Sequence, residues 1–84
     1  MNDPTKILFT QQGCVESLRV RTWLAECGVP FGERNVTGNY DTAKELLATG
    51  IFAIPLLVIG ATTVLGYRPE AIIAALRGDE SATR

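Results

Sequence analysis

The apolar residues of this 84-residue chain fall into short runs and one helical stripe, separated by glycine, proline and small polar clusters. Ile7-Leu8-Phe9, flanked by Lys6 and Thr10, reads as a buried strand closed by the polar loop Gln11-Gln12-Gly13. Residues 15–27 then change period. Val20, Trp23, Leu24 and Cys27 fall at i, i+3, i+4, i+7, and Val15 with Leu18 extends the same side, which predicts an amphipathic helix. Trp23 reads as core filling and Cys27 as a small buried hydrophobe near the helix end. Gly28 is placed as a left-handed cap, and Pro30 blocks continuation. Residues 31–36 give a second strand, parallel to the first because a helix joins them.

After the loop Thr37-Gly38-Asn39, residues 41–49 predict a short helix capped by Asp41 or Thr42. Thr42-Ala43-Lys44-Glu45 fits a capping box, and Gly50 ends the helix. Leu56 to Ile59 and Thr62 to Leu65 are strands joined by the tight turn Gly60-Ala61, hence an antiparallel hairpin. Pro69 suits the first position of a last helix running to Arg77, with Gly78 as its cap and 79–84 as a frayed polar tail. The predicted order is β-α-β-α-β-β-α in a single domain, 1–84, with its core at about 6–77 and a tail at 78–84.

Composition narrows the function. The chain is 46% hydrophobic and 20% charged with net charge −1, which is ordinary for a globular protein and argues against disorder. It has no basic stripe, so nucleic acid and anionic membrane surfaces are not expected partners. The apolar stretch from Ile51 to Ile59 is interrupted by Pro55 and too short for a bilayer. The first six residues carry an acid and a proline and do not resemble a signal peptide, so a soluble cytoplasmic protein is expected. Cys14 and Cys27, placed on one helix, lie ~20 Å apart at ~1.5 Å per residue and cannot pair within one chain. With no histidine, a single-chain zinc site is excluded.

The chemistry points to Cys14. It stands where the first strand has ended and the helix begins, at or just before the first helical residue. The unpaired N–H groups of that first turn and the positive end of the helix dipole favour thiolate over thiol. Glu16 in the same turn complements the dipole.

Three motifs carry a family resemblance. Cys14-Val15-Glu16-Ser17 stands at the start of the first helix, Ala53-Ile54-Pro55 directly before the third strand, and Gly66-Tyr67-Arg68-Pro69-Glu70 before the last helix. The first resembles Cys-X-X-Cys or Cys-X-X-Ser. The second resembles a Thr-Val-Pro element with a cis-proline, and the third the Gly-Phe-Arg-Pro-Asp element of NrdH-type redoxins. Over residues 6–77 the chain resembles the glutaredoxin branch of the thioredoxin fold: a four-stranded mixed sheet flanked by three helices. NrdH-type redoxins are glutaredoxin-like proteins that supply electrons to ribonucleotide reductase.

The resemblance implies that Cys14 is catalytic, with Ser17 placed to hydrogen-bond its thiolate. It implies that Gln11, Val15, Ile54, Pro55, Gly66, Tyr67 and Arg68 contact substrate or glutathione. Pro55 would be cis and face Cys14, and the backbone of Ile54 would pair with a bound peptide or glutathione like an added strand. Gly66, Tyr67 and Arg68 would lie at a γ-glutamyl carboxylate. Two departures matter. Ser17 stands where dithiol members have a resolving cysteine, and Gln11 stands where glutathione-using members often have lysine. The Cys-Gly-Phe-Ser motif of cluster-carrying monothiol members is also absent.

The leading expectation is therefore a monothiol thiol–disulfide oxidoreductase in cell redox homeostasis. It would be a monomer with no permanently bound cofactor, using glutathione or another low-molecular-weight thiol as co-substrate. Its partners would be small thiols and disulfide-bearing or thiolated proteins, with a thioredoxin-reductase-like donor among the possible electron sources. Two alternatives stay open. One is a non-catalytic module in which Cys14 ligates a [2Fe–2S] cluster shared across a dimer with two glutathiones. The other is a redox-inactive adaptor.

Overall fold

A computed structural model describes residues 5–82. The elements are β1 (Lys6–Thr10), α1 (Val15–Glu26), β2 (Gly32–Asn35), α2 (Tyr40–Ala48), β3 (Leu56–Ile59), β4 (Thr62–Leu65) and α3 (Pro69–Ala82). They form one four-stranded mixed sheet in the order β2-β1-β3-β4. β1 runs parallel to β2, with Leu8 opposite Glu33, and antiparallel to β3, with Leu8 opposite Leu57. β3 and β4 form the expected hairpin, closed by Ile59 opposite Thr62.

The central strands are continuous apolar runs because both of their faces are covered. On one face Leu8, Leu57, Ile59 and Val64 pack with Val20 and Leu24 of α1 and Ile72 and Ala75 of α3. On the other, Phe9 and Leu56 pack with Leu46 of α2, joined by Ile7 and Val58. The period-2 alternation of each strand thus feeds two cores. The edge strand β2 is shorter than residues 31–36. Phe31 and Val36, which flank it, pack against the two cores, and the Val36 N–H still donates to the Thr10 carbonyl at 2.9 Å. A Cβ at Gly32 would sit tightly against Ile7 Cδ1, at 3.2 Å.

The helices depart from the sequence reading in four places. The buried face of α1 is Ser17, Val20 and Leu24. Val15 and Leu18 are exposed rather than on that face, because at ~100° per residue Leu18 is rotated away from Ser17. Cys27 is exposed, not buried. It is the C-cap, and Gly28 at φ +71° then turns the chain. Val29, whose N–H donates to the Leu24 carbonyl at 3.0 Å, packs onto the core in its place.

The cap of α2 is Asn39, not Asp41 or Thr42. Its Oδ1 accepts from the Thr42 N–H at 3.1 Å. Thr42 is buried, so the capping box does not form, and Glu45 pairs with Arg34 instead, at 3.4 Å. Finally, α3 does not stop at Arg77 but passes through Gly78 to Ala82. Lys6 Nζ lies 3.5 Å from Asp79 Oδ2, which anchors the added turn to the start of β1. That contact offsets the ~1 kcal/mol helix cost of Gly78. The reading of residues 1–4 as no leader lies outside the described residues, as do Thr83 and Arg84 of the expected tail. No helix of the described residues is long and apolar enough to cross a membrane.

Candidate functional site

The loop between β1 and α1 delivers Cys14 to the first turn of the helix. Gly13 takes φ +79°, and the Cys14 N–H closes the turn on the Gln11 carbonyl at 3.2 Å. The Gln12 N–H donates to Thr37 Oγ1 at 2.8 Å, fixing the loop to the β2–α2 connection. Cys14 is the N-cap residue itself, in extended backbone conformation, and its sulfur accepts from the Ser17 N–H at 3.4 Å. A cap oxygen is ordinarily a serine, threonine or aspartate atom; here a thiol takes that place.

The Cys14 thiol is held below its ordinary pKa. The Ser17 hydroxyl is the largest cause and the Ser17 N–H the second; partial burial opposes them, the Glu16 N–H adds to the lowering, and the Glu16 charge works against it. The Ser17 hydroxyl oxygen is buried and forms no hydrogen bond in the resting site. It is thus free to rotate and donate when Cys14 carries charge.

Cys14, Gln11, Val15 and Ser17 come together around a depression of about 360 Å³, with Gln12, Leu18, Arg21, Glu33 and Asn35 on its walls. One wall is a polar cluster that sequence reasoning missed. Arg21 Nη1 donates to Glu33 Oε2 at 3.1 Å, and buried Thr10 Oγ1 donates to the same oxygen at 2.9 Å. No local pattern joins these three, which come from β1, α1 and β2.

The other expected site residues lie on neighbouring segments. The Ile54-Pro55 bond is cis. Pro55 is buried, its carbonyl accepts from the Gly66 N–H at 2.9 Å, and Ile54 packs toward the α2-side core. Tyr67 is half-buried against the α1–α3 core and carries the Arg19 guanidinium 4.3 Å from its ring centre. Arg68 is exposed and lines a hollow with Pro69, Glu70 and Ala71.

Glu16 is a further residue that sequence reasoning did not place in the site. Its Oε2 accepts from the Tyr67 N–H at 2.7 Å, joining α1 to the loop before α3. An acid in a first helical turn reads as a dipole partner, and nothing in the local sequence signals a contact so distant along the chain.

Cys14 and Cys27 are both free. Among the described residues no three His, Cys, Asp or Glu side chains gather where they could hold a metal ion, so a cluster at Cys14 would take its other three thiolates from outside the chain.

A sequence profile described as glutaredoxin matches residues 7–64. Among curated proteins none matches the chain in sequence. In structure the chain is similar to the glutaredoxin Grx-1 of Archaeoglobus fulgidus, with a TM-score of 0.77 at 20% identity, covering 87% of this chain and 86% of that one. It is similar to the glutaredoxin-like NrdH-redoxin of Escherichia coli, with a TM-score of 0.72 at 25% identity over 82% and 91% of the two chains. It is also similar to buckwheat glutaredoxin in its complex with glutathione, with a TM-score of 0.67 at 18% identity over 90% and 79%.

Proposed function

The chain belongs to the glutaredoxin family, and we propose that within it this protein is a thiol–disulfide oxidoreductase that works through one thiol. The observation that carries the reading is the Cys14 sulfur at the head of α1, favoured as thiolate by Ser17, with no second thiol in that turn. In the first step the Cys14 thiolate attacks the small-thiol sulfur of a mixed disulfide on a protein. The Cys14–thiol disulfide forms as the old bond breaks, and the protein thiolate leaves and takes a proton from water. In the second step another small thiolate attacks the sulfur attached to Cys14. A small-molecule disulfide leaves and Cys14 is again a thiolate. One free small thiol is consumed for each protein mixed disulfide reduced, the other half of the released disulfide coming from the mixed disulfide itself, and no resolving cysteine is needed.

Glutathione is a co-substrate consistent with the family, and other small thiols fit the same chemistry. Val15 and Leu18 are the exposed apolar residues beside the thiol and would meet the thiolated protein. Ile54, through its backbone, and Gly66, Tyr67 and Arg68 would meet the small thiol. Electrons would come from small thiols or from a thioredoxin-reductase-like donor. A reducing compartment such as the cytoplasm suits a lone reactive thiol.

The test is mass measurement after incubation with oxidised glutathione. One adduct on Cys14, absent in Cys14→Ser, is expected. An adduct confined to Cys27, or none, would overturn the reading.

A further inference from the structure

Glu16 is exposed, so the core does not need it. Its carboxylate nevertheless has a defined place. Oε2 sits 2.7 Å from the Tyr67 nitrogen, and a Cβ on Gly66 would come within 2.7 Å of the same oxygen. The absence of a side chain at Gly66 is what lets the carboxylate in. It takes up the backbone donor at the entry to α3 and fixes a negative charge two residues from Cys14, near enough to act on that thiol.

None of the described cations around it is ion-paired with this carboxylate. Arg19 lies over the Tyr67 ring, Arg21 is paired with Glu33, and Arg68 is exposed beside a different hollow. Among the described residues Glu16 forms no ion pair. A small thiol joined to Cys14 with a carboxylate reaching toward Tyr67 therefore meets an oxygen anion where an N–H would otherwise be free. A cationic or neutral thiol meets no such opposition.

We propose that Glu16 is a specificity-determining residue that makes Cys14 exchange faster with disulfides of cationic and neutral thiols than with those of anionic thiols. The inference rests on Cys14 being the exchanging thiol. The bond changes are those already described; Glu16 reads only the charge on the group that becomes attached.

The experiment measures Cys14 exchange with cystamine, 2-hydroxyethyl disulfide and oxidised glutathione, which are cationic, neutral and anionic. Wild type is compared with Glu16→Gln and Glu16→Ala at low salt. Glutamine keeps an acceptor oxygen for the Tyr67 N–H but carries no charge. Dividing each rate by that for the neutral disulfide cancels any change in the nucleophilicity of Cys14. The cystamine-to-glutathione ratio should favour cystamine in wild type. It should fall by about three- to tenfold in both variants, the size of one screened surface charge, and fall in wild type as salt is raised.

An unchanged ratio in Glu16→Gln, with neutral exchange still running, would overturn the proposal alone. So would a change in Glu16→Ala but not in Glu16→Gln, which would assign the effect to occupancy and not to charge. Loss of exchange with all three disulfides in wild type would instead overturn the single-thiol function, and the proposal with it.

Discussion

The Glu16 carboxylate and the Tyr67 backbone N–H meet at 2.7 Å although the two residues are 51 positions apart in the chain. The contact ties the helix that carries Cys14 to the loop that opens α3. Gly66 is the hinge of that arrangement, at φ +84° with no room for a Cβ beside the Glu16 oxygen.

Gly66→Ala should therefore destabilise the fold through two separable effects. The left-handed backbone costs a non-glycine residue about 1–2 kcal/mol, and the new methyl also displaces the carboxylate. In a Glu16→Ala background only the backbone effect remains, so the measured cost should be smaller. Urea midpoints of the four proteins in this double-mutant cycle check the coupling. Equal costs in both backgrounds would mean that Glu16 does not sit against Gly66.

This relationship also shows where the sequence stops being informative. β1, β3 and β4 were legible to the residue because apolar runs end at polar loops or at the Gly60 turn. The cap cysteine was legible because a strand, a short polar loop and a helical period meet there. Cys27 was misread because periodicity says which face a residue lies on, not whether the chain has already turned at Gly28. The end of α3 was misread because Gly78 is a local stop signal, while the contact that overrides it joins Lys6 to Asp79. Glu16 with Tyr67, and Thr10 with Arg21 and Glu33, pair across elements, and no window of sequence contains them.

Ser17→Ala should raise the pH at which Cys14 becomes reactive. The Ser17 hydroxyl is the main influence holding the thiol below its ordinary value. Removing it moves the midpoint of iodoacetamide labelling toward that of a free thiol. The stability consequence follows from the direction of the shift. A thiol lowered on folding adds stability that is fully present above the unfolded value and is lost as pH falls through the folded value. The variant should therefore lose stability against wild type only on the alkaline side. In acid it should match or exceed wild type, because a buried hydroxyl without a partner has been removed from a helix. An unchanged labelling midpoint would show that the backbone N–H alone sets the reactivity.

Asp79→Ala should release the last turn of α3. Lys6 and Asp79 are both largely sheltered, at 16% and 19% side-chain exposure, so their pairing is worth more than an open surface bridge. A global loss of about 1 kcal/mol is expected, between the exposed and buried cases. Amide exchange should quicken first from Gly78 onward, since that glycine is the weakest helical position once the anchor is gone. Uniform quickening along α3 would mean that the helix continues for another reason.

Arg68 supplies the counterpart to Glu16. It is exposed, beside Tyr67 but lining its own hollow, and among the described residues no ion pair engages it. Its charge is thus not taken up by an ion pair within the described residues and is available to a ligand. Arg68→Ala should slow exchange with oxidised glutathione relative to the neutral disulfide by about two- to fivefold at low salt. It should do so in the sense opposite to Glu16→Gln, and the effect should fade as salt screens it. The labelling of Cys14 by iodoacetamide, which is uncharged, should not move. If Arg68 instead faces a thiolated protein, the variant will keep the wild-type glutathione rate and lose rate only with the protein mixed disulfide. Measuring both substrates on the one variant separates the two. A glutathione rate that is unchanged at low salt would remove Arg68 from the small-thiol side of the site.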